Sequence, residues 1–129
     1  LERDLVEVAR VEGRHWSPDD NLEAGLFYRA DHFAFAQAGV PAITIGPGMD
    51  QVEGGVEGGK AARAAYFANC YHQPCDEFDD SWDMRGPVQD TRTVYRLAQR
   101  LANGNDWPQW DQGSEFGAQR EKSAAARAR

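Results

Sequence analysis

"FYRADHFAFAQAGVPAITIG", residues 27–46, contains the two short elements on which the fold reading turns. From about His32 the residues are apolar and alanine-rich as far as Gly39, which predicts a short helix stopped by a glycine. In "VPAITIG" the pattern changes. Ala42 to Ile45 form a brief apolar run with Pro41 before it and Gly46 after it, the signature of a buried strand. One strand with helices around it fits part of an α/β layer. A single strand is not a sheet, so the remaining strands are expected to lie outside this chain.

Upstream, "LERDLVEVARVEG" (1–13) spaces Leu1, Leu5 and Val8 for one face of a helix and stops at Gly13. "RHWSPDDNLEAG" (14–25) is rich in turn formers and reads as a loop. Downstream, "GPGMDQVEGGVEGG" (46–59) is glycine-rich but has no GxxxxGK pattern and carries three acids. It reads as a surface loop rather than a phosphate cradle. "KAARAAYFANC" (60–70) predicts a short helix or turn. The clearest helix lies in "SWDMRGPVQDTRTVYRLAQRLANG" (81–104), where Val94, Leu97, Ala98 and Leu101 form an apolar stripe. Pro87 suits its first turn and Gly104 its end. Trp107 and Trp110 are expected to pack back on a domain covering residues 1–113. Residues 114–129 read as a solvated, helical tail.

The 129 residues are enough for one domain. A formal net charge of −7 and a pI near 4.9 argue against nucleic acid or an anionic membrane surface as partner. No apolar run approaches the roughly 20 residues that span a bilayer. The chain opens without an initiator methionine or a secretory leader, and is expected to be a fragment or a processed product.

The chemistry-bearing residues fall in two groups. "NCYHQPCDEFDD" (69–80) sets His72 between both cysteines of the chain. An imidazole is the commonest protein ligand for zinc and needs a second group to fix its tautomer; Asp76 and Glu77 are near enough in sequence to offer one. Taken alone, a histidine in a loop is more often a surface or hydrogen-bonded residue than a ligand. Cys70 and Cys75 are spaced so that a disulfide is sterically reasonable, and two free thiols remain the alternative. A structural zinc site built from Cys70, His72 and Cys75 would lack the usual second pair of ligands. In the other group, Arg29, Asp31 and His32 precede the short helix. Asp31 is placed to cap it, or the three form one charged wall of a pocket.

Taken together, "YRADHFAFAQAGVPA" and "YHQPCDE" some thirty residues later resemble the C-terminal half of the M28 family of zinc metallopeptidases, which includes bacterial aminopeptidases. The usual family pattern is YRSDH, a helix, GVPA, a strand, then YHxPSDE, and the helix in 81–104 resembles the one that follows there. The likeness runs from about Leu22 to Gly113. It implies an α/β/α sandwich around a mixed sheet, with two zinc ions, a peptide substrate, and hydrolysis of N-terminal peptide bonds by a metal-activated water. His72 takes the place of the last zinc ligand. Tyr71 takes that of a tyrosine that hydrogen-bonds the oxyanion of the tetrahedral intermediate. Arg29, Asp31 and His32 would line or brace the substrate pocket. Cys75 replaces the usual serine; some secreted members have CYHxxC closed as a disulfide, which implies a Cys70–Cys75 bond and a periplasmic or secreted setting.

The resemblance also shows what is lacking. A two-zinc peptidase needs about five ligands and a glutamate as general base. The family's HxD and paired-glutamate motifs precede the region of Arg29–His32, and neither "HWSPDD" nor "LERDLVEVARVEG" matches them. The expectation is a fragment that is inactive alone and is partnered by a missing N-terminal half of the domain. The alternatives are a non-catalytic M28-like binding module and a glutaminyl cyclase-like acyltransfer enzyme.

Overall fold

The computed structural model describes residues 1–127. Its order is α1 (Glu2–Val11), two 3-10 turns (Leu22–Ala24 and Leu26–Arg29), α2 (Phe33–Gln37), α3 (Gly55–Asn69), α4 (Arg85–Asn103), α5 (Gly117–Lys122) and α6 (Ala124–Arg127). The chain divides into two compact units, one of Leu1–Ile45 with Thr91 onward, the other of Gly46–Asp90.

In the first unit, Leu5, Val8 and Ala9 of α1 are buried, as are Thr93 and Leu97 of α4. These are the i, i+3, i+4 and i, i+4 spacings of helix faces turned inward. Polar pairs fix the direction of packing. Asp4 Oδ1 accepts from Arg100 Nε at 2.9 Å, while Glu12 near the other end of α1 takes the Thr93 hydroxyl and lies 3.1 Å from Arg96 Nη1. Low numbers meet high ones, so α1 and α4 run antiparallel. The Glu12 carboxylate is almost covered, at 8% exposure, and it needs those donors because a buried charge without partners is costly.

The other part of this unit is aromatic. Phe27, Trp110 and Phe116 form a triangle with ring centroids 5.0 to 6.4 Å apart, and Phe33 joins at 6.2 Å from Phe116. The Trp110 indole N–H donates to the Gly39 carbonyl at 3.2 Å. Gly39 has φ +84, and a Cβ there would lie 2.6 Å from the Arg120 amide nitrogen, so α5 packs on the bare end of α2. The sequence leaves residues 114–127 without an anchor; Phe116 and buried Arg120, whose Nη2 donates to the Pro108 carbonyl at 2.6 Å, provide one. Burial and nearby Arg127 lower the pKa of Arg120 from its ordinary value.

The expected α/β/α sandwich is overturned. The fold is 52% helical and has no strand among the described residues. The run Ala42–Ile45 joins no strand or bridge. Strands are stabilised collectively, through ladder hydrogen bonds and cross-strand contacts, and an apolar run gains neither without a neighbour. The backbone pairing recorded outside helices and turns is one isolated antiparallel bridge, Gln51 to Gly55.

In the second unit, α3 begins at Gly55, inside the stretch whose composition predicts a loop. Gly59 is the reason that stretch tolerates so much glycine. It is the buried residue of this unit, and a Cβ there would lie 2.0 Å from the Met49 carbonyl oxygen. Asp83 precedes α4; hydrogen bonds from the Arg85 side chain and then its backbone N–H hold the Asp83 carboxyl down to about 2.

Two glycines of this unit are expected to respond differently to substitution. Gly59→Ala should destabilise by roughly 1–3 kcal/mol through overpacking. Gly86→Ala meets nothing within 4 Å, but Gly86 is the second residue of α4 and precedes Pro87, whose ring crowds a Cβ in the helical conformation, so the change should lie within about 0.5 kcal/mol of neutral. Urea unfolding measures both, and a stabilising Gly59→Ala would contradict the close approach.

Candidate functional site

The loop carrying His72 is built from the end of α3. The Tyr66 carbonyl, four residues before Cys70, accepts from both the Cys70 and Tyr71 amides, at 2.9 and 3.0 Å, and so ends the helix. Two turns follow, with the Gln73 amide donating to the Cys70 carbonyl and the Asp76 amide to the Gln73 carbonyl, both at 2.9 Å. A disulfide joins Cys70 to Cys75 with Cα atoms 5.4 Å apart, so the loop is closed covalently around Tyr71 and His72.

His72 has φ +59, the left-handed conformation, and no other non-glycine residue described has a positive φ. For a residue with a Cβ this costs on the order of 1 kcal/mol or more. Such conformations persist where surrounding contacts over-determine them, and they cluster at functional sites. The contacts here are specific. Asp76 Oδ2 accepts from the His72 backbone N–H at 3.3 Å, and Asp76 Oδ1 accepts from the Tyr66 hydroxyl at 2.8 Å. The imidazole lies stacked on the Tyr71 ring, centroids 3.9 Å apart and planes 22° from parallel. Tyr71 in turn packs on Phe67 at 4.5 Å and meets Tyr66 edge-on at 5.9 Å. The loop is otherwise open, with Tyr71, His72 and residues 73–80 all exposed.

The partnership of Asp76 therefore differs from the one its position in the sequence predicts. Its carboxylate holds the backbone of His72 rather than the ring. Tyr66 has no place in the sequence reading, although its location one helical turn before Cys70 is the signal that could have found it.

The residues Arg29, Asp31 and His32 belong to the first unit. Arg29 and Asp31 are exposed, and neither side chain makes a hydrogen bond or ion pair with another described residue. His32 is half-buried, packs on Phe27 at 4.5 Å and has Nε2 3.4 Å from the Thr44 hydroxyl. It occupies the N-cap position of α2, which has no side-chain cap, so Asp31 does not cap that helix.

Among the described residues no group of three or more His, Cys, Asp or Glu side chains is arranged to hold a metal ion. A catalytic zinc takes about three protein ligands. His72 offers one, and both sulfurs beside it are committed to each other. The residues described here do not fit a zinc centre on their own. Among the described residues no helix is long and apolar enough to cross a membrane.

The family model for Peptidase family M28 matches residues 1–95, about three quarters of the chain and both motif regions. The chain belongs to Peptidase family M28, a family that is generally zinc-dependent, and its function is accordingly peptidase-related. No curated protein and no solved structure matches the chain.

The hydrogen bond to Asp76, followed by burial, raises the Tyr66 pKa above its ordinary value of 10.0. The neutral phenol is the donor, so this bond contributes below pH 10 and is lost as pH rises through the raised value. An alkaline phenolate absorbance titration should show a component above pH 10 that moves down in Asp76→Ala. An unchanged titration would contradict the Tyr66–Asp76 bond.

Proposed function

We propose that this chain is the C-terminal portion of an M28 aminopeptidase domain. It would supply one zinc ligand, His72, and the hydroxyl of Tyr71 for the oxyanion, to a centre whose other ligands lie on polypeptide beyond this sequence. The observation that carries the reading is the family match across both motifs, joined to a loop that presents Tyr71 and His72 in a fixed, exposed arrangement. Exposure is consistent with this role, since a ligand awaiting other donors must be uncovered in the isolated segment. Arg29, Asp31 and His32 would face a peptide substrate, where an uncommitted guanidinium and carboxylate are free to pair with its charged groups. The Cys70–Cys75 disulfide favours a periplasmic or secreted setting.

The second reading, a non-catalytic M28-like module, is favoured by one observation: the described residues contain no metal-ligating group. A glutaminyl cyclase-like activity has no feature of its own here beyond the general resemblance.

The purified chain should not hydrolyse an aminoacyl nitroanilide, with or without added zinc; sustained turnover by the chain alone would contradict the proposal. In a complete peptidase containing this segment, His72→Ala should lower kcat/KM by about 10³-fold or more, the several kcal/mol expected from disrupting a catalytic metal. Unchanged activity would remove His72 from the ligand set and leave the module reading.

A further inference from the structure

A disulfide closes a loop without fixing the backbone inside it. Between Cys70 and Cys75 every residue retains two soft dihedrals, apart from the φ that Pro74 locks, so joining the two ends leaves the φ of His72 undetermined. The stacked rings do not fix it either, because a side chain can rotate about χ1. Two contacts remain. One is the turn closed by the Gln73 amide on the Cys70 carbonyl, with His72 at its third position, where a positive φ is accommodated. The other is the Asp76 carboxylate, whose Oδ2 takes the His72 amide and whose Oδ1 takes the Tyr66 hydroxyl at the end of α3. The Tyr66 bond, at 2.8 Å, is the shorter and stronger of the two; the His72 amide bond is longer, at 3.3 Å. Asp76 is itself held by its own amide, which donates to the Gln73 carbonyl. The Tyr66 ring also touches Phe67 and Tyr71, so one residue braces the carboxylate and the aromatic side of the pair together.

We propose that Asp76, anchored by Tyr66, is a positioning residue that holds the left-handed backbone of His72 within the Cys70–Gln73 turn, and with it the Tyr71–His72 stack. The geometric part stands on the loop alone; its use in the peptidase rests on the function proposed above. Asp76 touches neither substrate nor metal in this scheme and acts only through His72.

The test uses the whole 129-residue chain with its disulfide intact, observed by NMR. Two signals report on the pair: the ring-current displacement of the His72 imidazole protons by Tyr71, and the hydrogen-exchange rate of the His72 amide. Asp76→Ala should raise that exchange about tenfold, the effect of losing one such hydrogen bond. It should also move the His72 ring signals to their positions in Tyr71→Ala, where no stack exists. Asp76→Asn keeps an acceptor oxygen and should restore most of the ring displacement, which a side chain that merely fills space would not distinguish. Glu77→Ala is the neighbouring control and should leave both signals in place. Should Asp76→Ala not fold, Tyr66→Phe decides: faster exchange at His72 with α3 protection retained supports the proposal. His72 signals unchanged in Asp76→Ala, or unchanged in Tyr66→Phe where that variant decides, overturn it. Failure of the metal reading would be separate, seen as retained activity of His72→Ala in the complete peptidase while these NMR differences persist.

Discussion

The Asp76 carboxylate spans the junction between α3 and the loop beyond it, with the Tyr66 hydroxyl on one oxygen and the His72 amide on the other, and the Cys70–Cys75 bond closes the same loop covalently. The second unit has little else to define it. Its one buried residue is Gly59, and its large side chains, including Phe78, Trp82 and Val88, are exposed. Apolar burial is the dominant stabilising effect in most domains; where it is scarce, a cross-link and a few charged hydrogen bonds must carry local order. Here they order the residues with the most chemistry.

The first unit reaches its order differently. The helices α1 and α4 meet through a thin apolar seam bracketed by Asp4–Arg100 at one end and the Glu12, Thr93 and Arg96 group at the other. The aromatic triangle of Phe27, Trp110 and Phe116 draws the C-terminal segment onto α2. Glu12 is the sensitive point of the seam, because removing one partner of a covered ion pair leaves an uncompensated charge.

Helices were legible where an apolar period was accompanied by a stop. The stripe through Val94, Leu97, Ala98 and Leu101 falls on α4, but only Leu97 of the four is buried, its buried neighbour being Thr93, while Val94 and Ala98 are exposed; Leu5 with Val8 marks α1. The strand was not legible, because Ala42–Ile45 has a strand's composition while pairing is a property of two segments and cannot be read from one. α3 was half-legible: four glycines in 54–59 argue for a loop, and the packing of Gly59 on Met49 that makes glycine necessary depends on folding. Within the site, the residue types around His72 were visible as a motif. The left-handed backbone and the dual role of Asp76 were not, since both arise from three-dimensional closure of the loop. Trp107 and Trp110 were both expected to fold back; the Trp110 indole N–H does so onto Gly39, whereas Trp107 is exposed.

Membership of Peptidase family M28, and the absence among the described residues of any group of three metal-ligating side chains, support the proposal that His72 is one ligand of a centre completed by other donors. Zinc titration calorimetry of the disulfide-intact chain at neutral pH tests this most directly. The account predicts no saturable binding tighter than about 10 µM, since one imidazole supplies far less than the roughly −8 kcal/mol of a micromolar site. A stoichiometric sub-micromolar zinc site that disappears in His72→Ala would contradict it, because the chain would then contain the ligands it is here held to lack.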